Sequence, residues 1–295
     1  MNQKLCRSVG FCRCLVMFCV ALGVTACTKG ELNLAIADAP VDEAEAVVIE
    51  ISGVEFQPAE GSSQTVTFSA PKKIDLLNYA NGDSASLLAG ELLEVGYYSW
   101  LRLIVNAQDG VRDSYVLVNG AESELTIPAD ALAGLTIDRA FEISRTETRS
   151  LTIDFDLRKS LLKPQADAAQ YRLRPAMRWV DTARQGTLKG AVDPAVIANE
   201  CGAGDKAAVY LYSAATNQPA DVDGGTSDPI ATAMVKQDGV NAYTAAFLEA
   251  GDYVVAFTCD AARDQPDTAD ASVVFTGQAT VSVAAGAITT HNFVP

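Results

Sequence analysis

Large apolar residues alternate with polar ones along most of the chain, and this period of two predicts β-strands. Residues 32–36, 47–51 and 97–106 follow the pattern clearly, and similar segments recur as far as the C-terminus. Asn119-Gly120 favours a type I′ hairpin turn, which needs two successive positive φ values. Residues 78–94 contain four closely spaced leucines, and we expect a helical turn or two there. The chain is therefore predicted to be all-β, with at most one or two short helices.

A break in the pattern at residues 181–186 divides the chain into two predicted domains. Residues 32–181 and residues 186–295 each contain enough strands for an antiparallel β-sandwich of the immunoglobulin-like or transthyretin-like kind. The second segment carries 13 acidic residues and only four basic ones, so the balance of charge also changes at the break. Within the first domain, residues 171–179 alternate so regularly that we predict a single closing strand.

The first 26 residues have the pattern of an export signal. Three basic residues precede the apolar run Cys14–Val24, whose 11 residues are too few for a bilayer span of about 20. Val24-Thr25-Ala26-Cys27 resembles the bacterial lipobox, and this resemblance implies that Cys27 is lipidated and becomes the first residue of the mature protein. An ordinary signal peptide that is cleaved near Ala26 is the alternative. Residues 27–31 then form a short tether.

The predicted location follows from the residue after the cysteine. In the Gram-negative lipoprotein pattern an Asp at that position retains the protein in the inner membrane, whereas this chain has Thr28. We therefore expect an outer membrane lipoprotein of the cell envelope, and the sequence leaves the periplasmic and surface faces equally open.

The cysteines agree with export. Four of the seven lie in the predicted signal, and Cys27 is assigned to the lipid, so that Cys201 and Cys259 are left. An even pair in an oxidising compartment favours a disulfide bond. Two unpaired, buried thiols are the alternative.

The charge of the chain limits its partners. Lys and Arg total 22 against 37 Asp and Glu, which gives a net charge of −15. Without the three basic residues of the signal the mature chain carries −18. A surface this acidic repels the phosphate backbone, so nucleic acid is not an expected partner. The single histidine, His291, leaves little scope for imidazole chemistry, and we predict no enzyme activity and no cofactor.

A basic island interrupts this acidic chain at residues 139–178, which hold nine basic and five acidic residues. Alternation places Arg172, Arg174 and Arg178 on one face of the predicted closing strand. Arginine suits carboxylate and phosphate ligands, so these three residues are a candidate face for binding an anionic glycan or phosphate. The alternative is a structural ladder of charges, in which Asp154 and Asp156 on an adjacent strand neutralise the arginines.

A second candidate site is the acidic segment Asp221-Val222-Asp223-Gly224, which has the character of a calcium loop. Asp260, Asp264, Asp267 and Asp270 could add oxygen ligands if the loops meet. The segment lacks the third Asp and the later Glu of the EF-hand pattern, so a solvated loop is the favoured interpretation and no metal site is predicted.

Residues 32–181 resemble a bacterial lipoprotein family that is known only as a domain of unknown function. The resemblance is carried by Asp38-Ala39-Pro40, Ile74-Asp75-Leu76-Leu77, Gly96-Tyr97-Tyr98 with Leu101-Arg102-Leu103, Asn119-Gly120, Leu151–Asp156 with Arg158-Lys159-Ser160, and Leu173-Arg174-Pro175. It implies a secreted, usually lipid-anchored β-domain without a known activity. No functional residues are implied.

Residues 186–295 are similar to the carboxypeptidase regulatory-like, transthyretin-related sandwich. The similarity is carried by Gly186–Val192, Val209-Tyr210-Leu211, Asp238-Gly239 and Leu248–Tyr253. It implies a structural or binding module. Taken together, the sequence predicts a lipid-anchored, non-catalytic binding or scaffolding module, whose partners are the membrane and either an envelope glycan or another envelope protein. The alternative is an enzyme that acts on envelope polysaccharide through two carboxylates about 5 to 9.5 Å apart in a cleft.

Overall fold

The computed structural model describes residues 29–39, 44–128, 131, 133–163, 170–174, 176–268 and 273–295. The strands of the N-terminal half are β1 Lys29–Ala39, β2 Ala46–Pro58, β3 Gln64–Asp75, β4 Ala85–Glu94, β5 Gly96–Asn106, β6 Tyr115–Val118, β7 Ala121–Thr126, β8 Leu135–Ile137, β9 Phe141–Ile143, β10 Arg149–Asp156, β11 Leu161–Leu162, β12 Tyr171–Leu173 and β13 Met177–Asp181. Those of the C-terminal half are β14 Gln185–Ala191, β15 Ala208–Ser213, β16 Ala231–Met234, β17 Ala242–Glu249, β18 Gly251–Thr258, β19 Thr276–Val283 and β20 Ile288–Thr290. The helices are α1 Leu157–Ser160 and α2 Pro194–Glu200, and a 3₁₀ turn spans Leu76–Tyr79.

The N-terminal half is a sandwich of two sheets. One has the strand order β13-β10-β1-β4, and the other runs β11-β12-β7-β6-β2-β5-β8, with β3 paired to β2 and β9 paired to β5. A series of aromatic rings in mutual contact lies in the core between the two sheets. The Tyr98 and Phe141 rings are stacked with centroids 5.1 Å apart, and the Trp179 ring meets Phe141 edge-on at 6.0 Å. The strand predicted at residues 97–106 is confirmed as β5, which pairs with β2, β8 and β9.

The C-terminal half is a smaller sandwich with the sheets β17-β14-β20 and β16-β15-β18-β19. Its core is formed by inward-facing residues such as Leu188, Val209 and Phe257, all essentially buried. A disulfide joins Cys201, at the end of α2, to Cys259, which follows β18, and their Cα atoms are 5.2 Å apart. The predicted all-β fold is confirmed. A strictly antiparallel arrangement is not, because β1–β10, β7–β12 and β14–β20 are parallel pairs.

The helix predicted within residues 78–94 is wrong. The 3₁₀ turn ends at Tyr79, and the leucines belong to β4, which pairs with β1. The register of this pair shifts at two places between Leu32 and Ala35, so adjacent residues Leu87 and Leu88 are both buried. The irregular register disrupts the alternation of buried and exposed positions, and the spacing of the leucines then imitates a helix.

The single strand predicted for residues 171–179 is also wrong. β12 belongs to the large sheet, whereas β13 belongs to the four-stranded sheet, so the chain changes sheets between them. Where the chain passes from one sheet to the other, the buried Ser160 forms hydrogen bonds with the backbone of Ala176. Its Oγ accepts a hydrogen bond from Ala176 N and donates one to Ala176 O, both at 3.3 Å. The Asn119-Gly120 turn is confirmed, with φ of 50° and 73° between β6 and β7.

The two sandwiches are held together by a buried interface of mixed chemistry. Ala37 and Val180 of the first sandwich pack against Phe247 of the second. The Lys159 Nζ donates to Pro229 O at 2.8 Å, and the Arg158 Nη2 donates to the Tyr210 hydroxyl at 3.1 Å. The covalent connection is short, because only the turn at 182–184 separates β13 from β14. These contacts fix the relative position of the two domains.

Candidate functional site

A cleft of about 570 Å³ lies where the two sandwiches meet. We call it the junction cleft, and its polar and aromatic lining consists of Tyr97, Arg139, Phe141, Glu142, Arg149, Trp179, Asp181, Arg184 and Glu249. Glu249 comes from the second domain, Arg184 from the turn that connects the domains, and the others from the first domain. The cleft is therefore a product of the two-domain arrangement.

One wall of the junction cleft is built on Trp179 of β13. The Arg139 guanidinium carbon lies 4.2 Å from the centroid of the Trp179 ring, an arrangement that cation–π attraction favours. The Arg139 Nη1 donates to Trp179 O at 2.9 Å, and the indole Nε1 donates to Arg139 O at 3.2 Å. Arg139 also forms an ion pair with Glu249 across the domain boundary. These reciprocal contacts hold both side chains in place.

A second ion pair organises the end of β13. The Arg149 Nη1 lies 2.6 Å from Asp181 Oδ2, and the Arg149 Nε donates to Glu142 O at 3.1 Å. The other carboxylate oxygen of Asp181 accepts a hydrogen bond from Ala183 N at 3.0 Å, which shapes the turn into β14. Asp181 is thus used by the protein itself, both as a partner for Arg149 and as a turn residue.

Three groups of the junction cleft are open to a ligand. Tyr97 is 64% exposed and lies opposite Glu142 in the β5–β9 pair. Both Glu142 and Arg184 are exposed, and neither side chain forms an ion pair or hydrogen bond with another described residue. An aromatic face beside a cation and an anion can stack against a sugar ring and form hydrogen bonds with its hydroxyl or acidic substituents.

Buried carboxylates lie elsewhere along the domain interface. Asp38 and Asp154 line a separate cavity of about 10 Å³, which is about the size of one water molecule. Burial raises the pKa of Asp154, although the Arg178 guanidinium opposes the shift. Burial also raises the pKa of Asp156 to about 6 against the opposing charge of Lys159. Asp156 bonds to Thr232 of the second domain, and the cavity beside Asp38 and Asp154 leaves no space for a sugar ring.

The three arginines of the candidate anion-binding face are separated by the change of sheet. Arg178 lies opposite Asp154 and donates to its Oδ2 at 2.5 Å. The Arg174 Nη2 is 3.9 Å from Asp228 Oδ2 of the second domain, and Arg172 is exposed on β12 in the other sheet. The predicted common face is therefore wrong. Of the alternative ladder, the Asp154–Arg178 pair is present.

Asp156 was expected to pair with an arginine in the same ladder, but it lies at the start of α1 instead. It is the N-cap of α1, where its Oδ1 accepts a hydrogen bond from Lys159 N at 3.3 Å. From the second domain the Thr232 hydroxyl donates to the same carboxylate at 3.3 Å. Asp156 therefore contributes to the helix end and to the domain interface.

The acidic loops of the second domain form hydrogen bonds with their own surroundings. Asp223 and Asp228 accept from backbone N–H groups of the same loop. Asp264 accepts the hydroxyl hydrogen of Tyr210. Within the described ranges, no three Asp, Glu, His or Cys side chains come together as a metal site. Asp270 lies outside the described residues.

Sequence reasoning missed the junction cleft. Its lining comes from segments that are far apart in the chain, and no motif connects them. A partial signal existed, because Arg139 and Arg149 belong to the basic island that the sequence identified. Cys27 and the predicted signal peptide lie outside the described residues. In the part of the chain that the structure covers, no helix is long and apolar enough to cross a membrane.

The family comparison concerns the first sandwich. Residues 29–175 match the profile of the family described as "Domain of unknown function (DUF4382)". A DUF4382 domain is therefore found within the N-terminal sandwich. The match agrees with the resemblance to a family of unknown function that the sequence shows. No curated protein matches the chain significantly.

Several solved structures are similar to the chain at low sequence identity. The Bacillus anthracis TIE protein is 14% identical over 90% of this chain and 34% of its own, with a TM-score of 0.19. The minor pilin GBS52 of Streptococcus agalactiae is 10% identical over 90% and 97%, with a TM-score of 0.21. A putative adhesin from Bacteroides ovatus is 13% identical over 88% and 83%, with a TM-score of 0.18. The chain spans about a third of the TIE protein, and TM-scores this low carry no functional argument.

Proposed function

We propose that this protein is a lipid-anchored binding module of the cell envelope, and that it holds an envelope glycan in the junction cleft without transforming it. The observation that carries the proposal is the cleft of about 570 Å³ with the exposed Tyr97 ring at its edge. The buried interface fixes both walls, so a ligand meets a pre-formed site and little ordering is required on binding.

The available groups suit a saccharide that carries an acidic substituent. The Tyr97 ring offers an apolar face for a sugar ring, and the Arg184 guanidinium offers paired N–H donors for a carboxylate or phosphate. Glu142 accepts hydrogen bonds from hydroxyl groups. Because the mature chain carries a net charge of −18, an acidic ligand needs such a local cation to approach.

The carboxylates favour binding over hydrolysis. A glycosidase pair needs one carboxylic acid whose raised pKa keeps it protonated beside the substrate. The carboxyl groups with a raised pKa, such as Asp154 and Asp156, are buried in the domain interface. In the junction cleft, Asp181 and Glu249 are occupied by Arg149 and Arg139, so Glu142 has no second unpaired carboxylate among the lining residues to act with.

The same proposal has three further parts. A lipid on Cys27 anchors the protein, the protein is located at the outer membrane, and the second sandwich is of the carboxypeptidase regulatory-like kind. The anchor is supported by the lipobox resemblance and by the position of β1, which begins only two residues after Cys27. The second sandwich supplies Glu249 and Ala250 to the junction cleft. Its proposed role is thus to complete the binding site.

The test is calorimetric titration of the chain from residue 28 onwards with soluble peptidoglycan fragments and lipopolysaccharide core oligosaccharides. Tyr97→Ala and Arg184→Ala should each weaken binding about tenfold, as for anchor residues of an interface. Arg112→Ala is the matched control, because Arg112 is exposed and lies outside the cleft. Binding that neither cleft variant changes would assign the ligand to another surface, and release of new reducing ends would favour the hydrolase. If none of the fragments binds, the proposal that the ligand is an envelope glycan is refuted.

A further inference from the structure

The β4–β5 turn carries a small apolar tip. Val95 lies in the turn, Leu92 precedes it and Tyr97 follows it, with exposed fractions of 39%, 50% and 64%. We call these three residues the hairpin tip for the turn of the chain there, although β4 and β5 belong to different sheets and do not pair with each other. Eight large apolar side chains are exposed in the described part of the chain, and three of them lie within these six positions. Their neighbours Leu93 and Tyr98 are buried, so the β-alternation directs Leu92 and Tyr97 outwards.

The hairpin tip lies beside the start of the first strand. In the β1–β4 pair Lys29 is opposite Glu94, and Glu31 is opposite Leu92. Cys27 is only two residues before Lys29, and two residues span at most about 7 Å. Any group attached to Cys27 is therefore restricted to the neighbourhood of the hairpin tip.

We propose that the hairpin tip rests in the headgroup layer of the membrane that holds the lipidated Cys27. The inference depends on the proposed lipid anchor and adds to it an orientation. The headgroup region on each side of a bilayer is roughly 5 to 8 Å thick, comparable with the reach of the tether. Tyrosine is enriched at this depth in membrane proteins, because its ring is apolar and its hydroxyl remains hydrated.

The charges around the hairpin tip indicate an apolar contact. Lys29 and Arg145 are exposed there, but so are Glu31, Glu94 and Glu142, so the residues that the structure describes at this point form no cationic patch for anionic lipids. Arg145 belongs to this group because the residue before it, Ser144, lies against Gly30 of β1. A Cβ added to Gly30 would lie only 2.0 Å from Ser144 O. Contact with the membrane should therefore occur on zwitterionic lipids and be insensitive to salt.

This orientation has a consequence for the junction cleft. Tyr97 belongs both to the hairpin tip and to the edge of the cleft, so the cleft opens next to the lipid surface. Glu249, at one end of β17, lines the cleft together with Tyr97. Val240 lies just before the other end of β17, and a strand of eight residues separates the two ends by about 23 Å. Val240 is 68% exposed, which makes it a matched control position far from the hairpin tip.

The experiment uses the full-length chain, matured in a bacterium that lipidates proteins and reconstituted into phosphatidylcholine vesicles that contain brominated acyl chains. A tryptophan is introduced as Val95→Trp or, as the control, Val240→Trp, and the wild type supplies the background of Trp100 and Trp179. Both variants must melt at the wild-type temperature. We expect bromine near the headgroups to quench most of the fluorescence that Val95→Trp adds and none of that added by Val240→Trp, at low and high salt alike.

Each other outcome has a defined meaning. If the protein floats with the vesicles and Val95→Trp is not quenched, the anchor exists but the hairpin tip stands away from the membrane, and the inference is refuted. Equal quenching of both variants also refutes it, since the protein then has no fixed orientation. If the chain does not float at all, the proposed anchor is wrong and the orientation falls with it.

Discussion

Arg178 and Asp154 lie directly opposite each other on β13 and β10, and the same guanidinium also contacts the second domain. The Arg178 Nη2 donates to Asp154 Oδ2 at 2.5 Å, while the Nη1 donates to Phe247 O at 2.7 Å. The Asp154 side chain is 7% exposed. Phe247 is buried with a φ of 53°, a conformation that is unfavourable for a bulky residue and must be held by its surroundings. One arginine thus compensates a buried charge and supports a strained backbone carbonyl.

Arg178→Ala should lower the free energy of unfolding by about 3 to 5 kcal/mol, because it leaves the Asp154 carboxylate buried without a partner. Arg172→Ala is the matched control, and a change within about 0.5 kcal/mol is expected at that exposed position. Guanidinium chloride unfolding at pH 7 measures both. Adding Asp154→Asn to Arg178→Ala should recover part of the loss. Equal, small effects of the two alanine variants would contradict the proposed role of Arg178.

The same pair shows how far the alternation of the sequence can be used. It allowed a charge ladder between the arginines and the strand of Asp154, and the Asp154–Arg178 pair of that ladder is present because both residues lie within regular strands. It failed for Arg172 and Arg174, since the chain changes sheets after Leu173 and alternation has no meaning across a crossing. Pro175 was a usable signal, because proline cannot donate to the hydrogen-bond ladder of a central strand.

Other features could not be read from the pattern. The irregular register between β1 and β4 buries the adjacent residues Leu87 and Leu88, and it depends on pairing with a strand that is more than fifty residues distant. The junction cleft depends on how two domains pack, and its two ion pairs connect Arg139 to Glu249 and Arg149 to Asp181 over long sequence separations. Local sequence predicts strands and turns, whereas such sites arise from tertiary packing.

The raised pKa of Asp156 predicts a pH dependence of stability. Burial raises this pKa to about 6, above the value near 3.9 in an unfolded chain, so the folded state binds the extra proton between these limits. Stability should therefore fall as the pH rises from about 4 to about 6, by the linkage between proton binding and folding. The raised pKa of the buried Asp154 acts in the same direction.

Asp156→Asn should remove the contribution of this carboxyl, so the difference in unfolding free energy between variant and wild type should grow in the variant's favour from pH 4 to pH 7. Asparagine can still cap α1, which keeps the helix end intact. Unfolding in denaturant is measured at pH 4.5, 5.5 and 7. Glu60→Gln is the control, because Glu60 is exposed and its variant should follow the wild-type profile. Parallel profiles of Asp156→Asn and wild type would contradict the prediction.

Cys27→Ala should abolish incorporation of radiolabelled palmitate, because the thiol is the group to which the lipid is attached. The variant should also retain the signal segment and run as a larger precursor on gels. Cys19→Ala is the matched control in the apolar run, and it should be labelled and processed like the wild type. Labelling that persists in Cys27→Ala would show that the cysteine is not the lipid site.

The Cys201–Cys259 bridge should stabilise the second sandwich and hold α2 on it. The bridge closes a loop with a sequence separation of 58, for which the chain-entropy model gives about 4 kcal/mol. Val196 and Ile197 of α2 are only partly buried against the core of the second sandwich, so the bridge should contribute much of what keeps the helix in place. Cys201→Ser with Cys259→Ser should therefore lower the unfolding free energy by this amount and speed amide hydrogen exchange in α2 most of all. A reducing agent should have the same effect on the wild type and none on the double variant. Mass spectrometry of unreduced peptides that finds both thiols free would overturn the prediction.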